Sequence, residues 1–127
     1  EPPDADYPYV LITGRQLEHW HTGAMTRRSA VLDALEPAPH VSLHPALLAR
    51  LGLRAGQPVR LRTRRGSVTV ATRADEAVPD GAAFLPFAYA EAAANLLTIA
   101  ALDPVAKIAE VKHCAVAIEP VAAAATV

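Results

Sequence analysis

This chain of 127 residues has one cysteine, few aromatic residues and almost no net charge. A single cysteine, Cys114, excludes an internal disulfide and is consistent with a reducing compartment. No apolar run approaches the roughly 20 residues that a membrane-spanning helix needs, so no membrane insertion is expected. The formal net charge of −1 argues against a general nucleic-acid binder. We therefore expect neither membrane insertion nor nucleic-acid binding. We expect a cytoplasmic location, with the periplasm as the alternative.

The composition is that of one folded domain. Hydrophobic residues make up 52% of the chain and aromatic residues only 5%, which predicts a sizeable aliphatic core. Residues Glu1–Pro8 are acidic and proline-rich, so we interpret them as a linker that enters a domain, or as a cut inside a longer chain. We place the domain at residues 9–119 and a flexible tail at residues 120–127.

Alternating side chains predict short strands. Val59 and Leu61 alternate with arginines, and Val68 and Val70 alternate with polar residues, which is typical of half-exposed strands. Arg64-Arg65-Gly66 predicts a hairpin turn between them, with Gly66 free to take a positive φ. The predicted strands are residues 9–13, 41–43, 58–63, 67–73, 83–87 and 112–119.

Helices are predicted to be few and short. His44-Pro45 opens one helix, and a second lies within Ala88–Leu97. In the last strand, Cys114 is expected to pack in the core with Val116 and Ile118. No βαβ alternation is present, so the pattern favours a mainly β fold with short helices, a compact barrel or sandwich.

The stretch Thr13–Arg28 concentrates functional side chains. It holds two glycines, two histidines, three arginines and the only tryptophan and methionine. Gly14 and Gly23 would let the backbone approach a ligand and present N–H groups. Arg15 suits a phosphate, and Trp20 offers a flat face. We interpret the stretch as a loop that binds an anionic, partly planar ligand; the alternative is a surface loop whose Trp20 fills the core.

Two catalytic interpretations of this loop are weaker. His19 and His21 lack acidic or thiol partners at recognised zinc spacing, so no metal site is expected; a small zinc hydrolase is the alternative. Glu18 could form an acid–base pair with either histidine, but the sequence contains no nucleophile signature to accompany such a pair. We therefore expect no autonomous catalysis.

Further polar residues have two interpretations each. The arginines at positions 60, 62, 64 and 65 are expected to form a solvated face balanced by acids, with a partner surface as the alternative. The amide of Asn95 could bond to the edge of a purine or to the end of a helix. The ammonium group of Lys112 could meet a phosphate or remain in solvent.

The longest motif, TGRQLEHWHTGAMTRR, resembles the opening of the C-terminal domain of large molybdopterin oxidoreductases in the dimethyl-sulfoxide-reductase superfamily. The resemblance continues in order through HPALLARLGLRAGQPVRLRTRRGSVTVATR, LPFAYAEAAANLLT, ALDPVAKIAEVK and CAVAIEP, and so covers about Tyr7 to Pro120. AEAAANLLT and ALDPVAKIAEVKHCAV look closer to the formate dehydrogenase branch, with the periplasmic-type nitrate reductase branch as the alternative.

The resemblance implies a double-psi β-barrel that binds the guanine dinucleotide parts of a molybdenum or tungsten bis-molybdopterin cofactor. It also implies that the domain alone is not catalytic, because metal-ligating and iron–sulfur cysteines would lie in upstream domains. Partners would be those domains and electron-transfer subunits; a free-standing binding barrel is the other alternative. Phe87 matches a position near the substrate channel. The cofactor-binding residues implied are Thr13, Gly14, Arg15, Gln16, Leu17, Glu18, His19, Trp20, His21, Thr22, Asn95 and Lys112.

Overall fold

A computed structural model describes residues 1–122, so most of the predicted tail lies outside the described residues. Six strands and two short α-helices make up most of the regular structure, with 3-10 turns at Thr26–Arg28, Ala90–Ala92 and Ala94–Leu96. The elements are β1 (Tyr9–Gly14), α1 (Ala30–Leu35), β2 (His40–Leu43), α2 (Pro45–Arg50), β3 (Pro58–Arg62), β4 (Ser67–Ala74), β5 (Ala82–Pro86) and β6 (His113–Pro120).

The strands close into a barrel in the order β1-β5-β2-β4-β3-β6. Two neighbouring pairs, β1 with β5 and β2 with β4, are parallel, and the other pairs are antiparallel. Closure gives every strand two neighbours and leaves no unpaired sheet edge. The predicted mainly β fold with short helices is therefore confirmed.

Alternation along the strands builds the core. Val59, Leu61, Val68 and Val70 are buried and alternate along the strands with exposed or half-buried residues, as predicted. From β6, Cys114, Val116 and Ile118 all join the main hydrophobic cluster, which confirms the prediction for that strand. Because the cluster draws on all six strands, it fills the barrel interior.

Local predictions differ from the structure at two places. Gly66 does not take a positive φ; a Cβ there would lie 3.0 Å from the carbonyl oxygen of Leu96, so close packing, not turn geometry, favours glycine. Residues Ala88–Leu97 form two 3-10 turns rather than an α-helix.

The arginines of the β3–β4 hairpin are paired with acids, as expected. Arg60 and Arg62 both bond to Glu119 of β6. Arg64 bonds to Asp4 and Glu1, and Arg65 bonds to Glu1. Residues 1–8 thus lie against this hairpin, and the ring of Tyr7 packs under the guanidinium groups of Arg62 and Arg64.

One end of the barrel collects the segments singled out in the sequence. The pairing registers place the C-terminal ends of β1, β3 and β5 together with the N-terminal ends of β2, β4 and β6. Residues 15–28, 87–97 and 111–112 leave from or enter the barrel at this end. Among residues 1–122, no helix is long and apolar enough to span a bilayer.

Candidate functional site

Three segments that are distant in sequence meet where β1 ends. The backbone N–H of Phe87 donates to the carbonyl oxygen of Gly14 over 3.1 Å. The backbone N–H of Thr13 donates to the carbonyl oxygen of Lys112 over 3.2 Å. The hydroxyl of Thr13, which is buried, also donates to the carbonyl oxygen of Val111. The barrel therefore brings the predicted residues Thr13, Gly14, Phe87 and Lys112 together.

A cleft of about 520 Å³ opens beside this junction. Three residues predicted from the sequence, Thr22, Phe87 and Asn95, line it. The cleft is also lined by residues that were not among the predicted cofactor-binding residues. Its remaining lining residues are Gly23, Ala24, Arg27, Arg28, Tyr89, Ala90, Ala93 and Ala94.

A row of aromatic rings, here called the rim, leads from the cleft residue Phe87 through His21 to Trp20. Trp20 is 58% exposed, so the alternative that it fills the core is wrong. Its ring meets the His21 ring edge-on, with centroids 4.4 Å apart. The His21 ring lies nearly parallel to that of Phe87, with centroids 6.5 Å apart and planes inclined by 15°. The rim offers flat faces on which a planar ligand can stack.

His19 is placed differently from His21. It is 4% exposed, and Nε2 lies 2.9 Å from the carbonyl oxygen of Glu36. Because a carbonyl only accepts, Nε2 carries the proton, and Nδ1 meets the hydroxyl of Thr26 at 3.1 Å. The Tyr89 hydroxyl donates to the same Glu36 oxygen over 2.9 Å. His19 thus ties the loop to neighbouring segments, and its predicted cofactor contact stays a prediction.

The remaining residues of the motif form a local turn. Gln16 donates from Nε2 to the Glu18 carboxylate over 2.6 Å, and this bond is the first cause that lowers the pKa of Glu18. The backbone N–H of His19 donates to the carbonyl oxygen of Gln16. Leu17, at the tip, is 94% exposed. Glu18 therefore bonds to Gln16, and not to either histidine.

The two glycines of the loop serve the packing of the chain itself. A Cβ on Gly14 would lie 2.6 Å from the ring of Phe84, and one on Gly23 would collide with the carbonyl oxygen of Ala88. Gly23 also has a positive φ of 76°. The close approach at both glycines is thus to atoms of the protein itself, and the predicted approach of their backbone to a ligand stays a prediction.

Ion pairing separates the arginines into two groups. Within residues 1–122, salt bridges engage Arg27, Arg50, Arg60, Arg62, Arg64, Arg65 and Arg73. The same part of the chain provides no such partner for Arg15, Arg28, Arg54, Lys107 or Lys112. Of these cations, Arg54 lies at the other end of the barrel, whereas Arg15, Arg28 and Lys112 lie at the end that carries the cleft. That end can attract and hold an anion.

Comparison with known proteins identifies related domains. Residues 9–115 match the family described as the molydopterin dinucleotide binding domain. The chain is 43% identical over 119 residues to the F420-dependent formate dehydrogenase subunit alpha of Methanocaldococcus jannaschii, covering 94% of this chain and 18% of that protein. It is 41% identical over 121 residues to the F420-dependent formate dehydrogenase 1 subunit alpha of Methanococcus maripaludis, covering 95% of this chain and 18% of that protein.

The fold recurs in a solved structure. Acetylene hydratase from Pelobacter acetylenicus matches 91% of this chain and 19% of its own length, with a TM-score of 0.79 and 19% sequence identity. The chain thus spans about a fifth of the length of the proteins it matches.

Proposed function

This chain belongs to the molydopterin dinucleotide binding domain family, and from this premise we propose that it holds the guanine dinucleotide parts of a bis-molybdopterin cofactor in a formate dehydrogenase. One observation carries the proposal: the cleft and three cations that lack acidic partners, Arg15, Arg28 and Lys112, lie at the same end of the barrel. The names of the two relatives support formate as the substrate of the whole enzyme.

The residues present fit the nucleotide part of such a cofactor. The cleft of about 520 Å³ lies within the roughly 300–1,000 Å³ that is common for small-molecule sites. Its lining includes Asn95, whose amide both donates and accepts, as a purine edge requires. Arg15, Arg28 and Lys112 offer positive charge for a pyrophosphate. The rings of Trp20 and His21 offer stacking faces.

When bound, the cofactor, with molybdenum or tungsten, supplies the redox chemistry. The side chains of this chain bind and orient it. We assign Arg15 and Lys112 to phosphate oxygens, and Thr22 and Asn95 to polar edges of the nucleoside. Phe87, at the junction of cleft and rim, is assigned to the wall facing the substrate channel.

Retention of cofactor by the intact enzyme tests this assignment. Arg15→Ala and Asn95→Ala should each lower the cofactor content of the purified enzyme, because charge-assisted hydrogen bonds contribute roughly 1.5–3 kcal/mol each. Arg54→Ala is the matched control, since this exposed arginine lies in the turn before β3, at the opposite end of the barrel. Unchanged cofactor content in both site variants would contradict the site, and turnover of nitrate instead of formate would favour the nitrate reductase branch.

We also propose that the remaining domains of the same oxidoreductase cover the segment Leu102–Ala109. A bridge between Leu102 and Ala109 and hydrogen bonds between Asp103, Lys107 and Ile108 shape this segment. Val105 is nevertheless 88% exposed and Ile108 69% exposed, which is typical of an interaction surface. Because the segment lies between Asn95 and Lys112, its docking would also fix the site.

The partner proposal predicts a difference between intact enzyme and isolated chain. Val105→Asp should weaken cofactor retention in the intact enzyme while the folding stability of the isolated chain stays unchanged, because only the docked state buries the side chain. Equal behaviour of Val105→Asp and wild type in the intact enzyme would contradict it.

A further inference from the structure

Two adjacent arginines, Arg27 and Arg28, line the same cleft. Both lie in the same motif but follow the predicted binding residues Thr13 to Thr22, and neither was assigned to the site from the sequence. They sit in the 3-10 turn Thr26–Arg28, which joins the loop to α1. Their surroundings differ sharply, and this difference indicates two separate tasks.

The guanidinium group of Arg27 is engaged by other groups of the protein. Its Nε lies 3.0 Å from the Asp33 carboxylate, and its Nη1 lies 2.6 Å from that of Glu91. Nη2 donates to the carbonyl oxygen of Pro37 over 3.2 Å. The guanidinium carbon also lies 5.0 Å from the centre of the Tyr89 ring. The hydrogen bond to Glu91, followed by the one to Asp33, raises the pKa of Arg27.

These contacts make Arg27 a link across the cleft. Glu91 belongs to the 3-10 turn Ala90–Ala92 on one wall, whereas Asp33 belongs to α1 on the other side of the loop. Two carboxylates neutralise the charge of Arg27, so little of it remains for a ligand. Its planar fork is the feature that allows four simultaneous contacts.

Arg28 has the opposite character. It is exposed and lines the cleft together with Asn95. Within residues 1–122 its guanidinium has neither an ion pair nor a hydrogen bond, whereas the carboxylates of Asp33 and Glu91 bond to Arg27. An uncompensated guanidinium on a concave surface suits a phosphate oxygen.

We propose that Arg28 binds a phosphate of the nucleotide directly, whereas Arg27 is a positioning residue that holds the cleft wall carrying Tyr89 and Asn95. This inference rests on the proposed function and gives the two cleft arginines separate roles in its site. It also explains why two like residues stand side by side in the chain: only one of them is free to meet the ligand.

Titration of the 127-residue chain with GDP and with inorganic pyrophosphate, followed by NMR at millimolar ligand, tests the phosphate contact. Arg28→Gln should weaken binding of both ligands by about 10-fold or more, as the loss of one charge-assisted bond predicts. Arg28→Lys should retain most of the affinity, because a lysine binds phosphate as a point charge. Arg54→Gln, which removes an exposed arginine at the other barrel end, should leave both affinities unchanged.

Arg27→Lys is expected to behave differently from Arg28→Lys. A lysine cannot reach Asp33, Glu91 and Pro37 at once, so the wall should shift and GDP should bind more weakly. Pyrophosphate, which does not need the wall near Asn95, should bind as in wild type. This split between the two ligands separates positioning from a general loss of folding, which would weaken both.

The possible failures are distinct. If wild type binds and Arg28→Gln binds equally well, the inference is wrong and the proposed function stands. If Arg27→Lys weakens both ligands equally, Arg27 is not a positioning residue. If wild type binds neither ligand, the proposed nucleotide site itself is contradicted.

Discussion

At the scale of single residues, a missing side chain shapes the cleft as much as those present. Gly23 lies directly against the backbone of Ala88, between the cleft residues Phe87 and Tyr89. Its φ of 76° is in the left-handed region, where residues with a Cβ are strained. The loop can therefore rest on the segment that follows β5 only while this position remains glycine.

A pair of glycine substitutions separates the two demands on Gly23. Gly52 has a φ of 68°, but no atom lies within 4 Å of its potential Cβ. Gly52→Ala should therefore lower the free energy of unfolding by about 1–2 kcal/mol, the strain of a left-handed residue. Gly23→Ala should lower it by a further 1–3 kcal/mol or so because of overpacking. Urea unfolding measures both; equal losses would show that the contact with Ala88 does not constrain the loop.

Cys114 supplies a second test at this scale. It is buried in the barrel, and burial raises the pKa of its thiol. Since the thiolate is the reactive form, iodoacetamide at pH 8 should not label the native chain, and labelling should appear only in urea concentrations that unfold it. Labelling of the native chain at the rate of a free thiol would contradict the core position of β6.

At the scale of elements, one carbonyl oxygen joins three parts of the cleft end. The carbonyl oxygen of Leu97 accepts from the hydroxyl of Thr63 over 2.9 Å and from Nε of Arg65 over 3.1 Å. The thiol of Cys114 lies 3.6 Å from it. The β3–β4 hairpin, β6 and the 3-10 turn that carries Asn95 are thereby held to one point.

Thr63→Val tests this junction. The substitution keeps the β-branched shape and removes the buried hydroxyl. The backbone N–H of Arg65 then loses its acceptor, and the Leu97 carbonyl keeps only the Arg65 guanidinium and the Cys114 thiol. We expect a loss of about 1–3 kcal/mol in unfolding free energy, the usual range for an unsatisfied buried group. Thr69→Val on the exposed face of β4 is the control and should change stability by less than about 0.5 kcal/mol. Identical losses in the two variants would rule out a special role for the Leu97 contact.

The elements also show what sequence patterns can and cannot predict. Alternation at Val59, Leu61, Val68 and Val70 predicted β3, β4 and the hairpin between them, because side-chain period fixes which face is buried. It did not predict the parallel pairing of β1 with β5, since alternation specifies a face and not a neighbour. The motif around Arg15 located the loop. It could not distinguish Arg27 from Arg28, because that distinction depends on Glu91, which lies 64 residues away in the chain.

At the scale of the whole molecule, a net charge of −1 conceals an uneven distribution. The arginines of the β3–β4 hairpin are matched by Glu1, Asp4 and Glu119, whereas Arg15, Arg28 and Lys112 are not matched within the described residues. The matched group ties the β3–β4 hairpin to β6 and to residues 1–8, and the unmatched group is available for a ligand. Protonation of the acids should therefore affect stability without removing the positive charge of the site.

The pKa shifts of these acids fix the direction of the pH effect. A hydrogen bond from Arg65 is the first cause that lowers the pKa of Glu1, from 4.5 to about 2. The bond from Arg62, followed by that from Arg60, lowers the pKa of Glu119. A carboxyl group whose pKa is lower in the folded state stabilises the fold above its unfolded pKa, and this stabilisation is lost as the pH falls through the folded pKa.

We therefore expect the free energy of unfolding to fall as the pH is lowered from about 4.5 towards 2, the interval between the two pKa values of Glu1. Glu119→Gln should be less stable than wild type at pH 7, because it leaves Arg60 and Arg62 without their carboxylate. The two proteins should converge as the pH falls below the folded-state pKa of Glu119, because the wild-type carboxyl is then also neutral. Urea unfolding at a series of pH values measures the difference. A gap between wild type and Glu119→Gln that does not narrow as the pH is lowered would mean that the ion pair contributes nothing and that the variant acts only through packing.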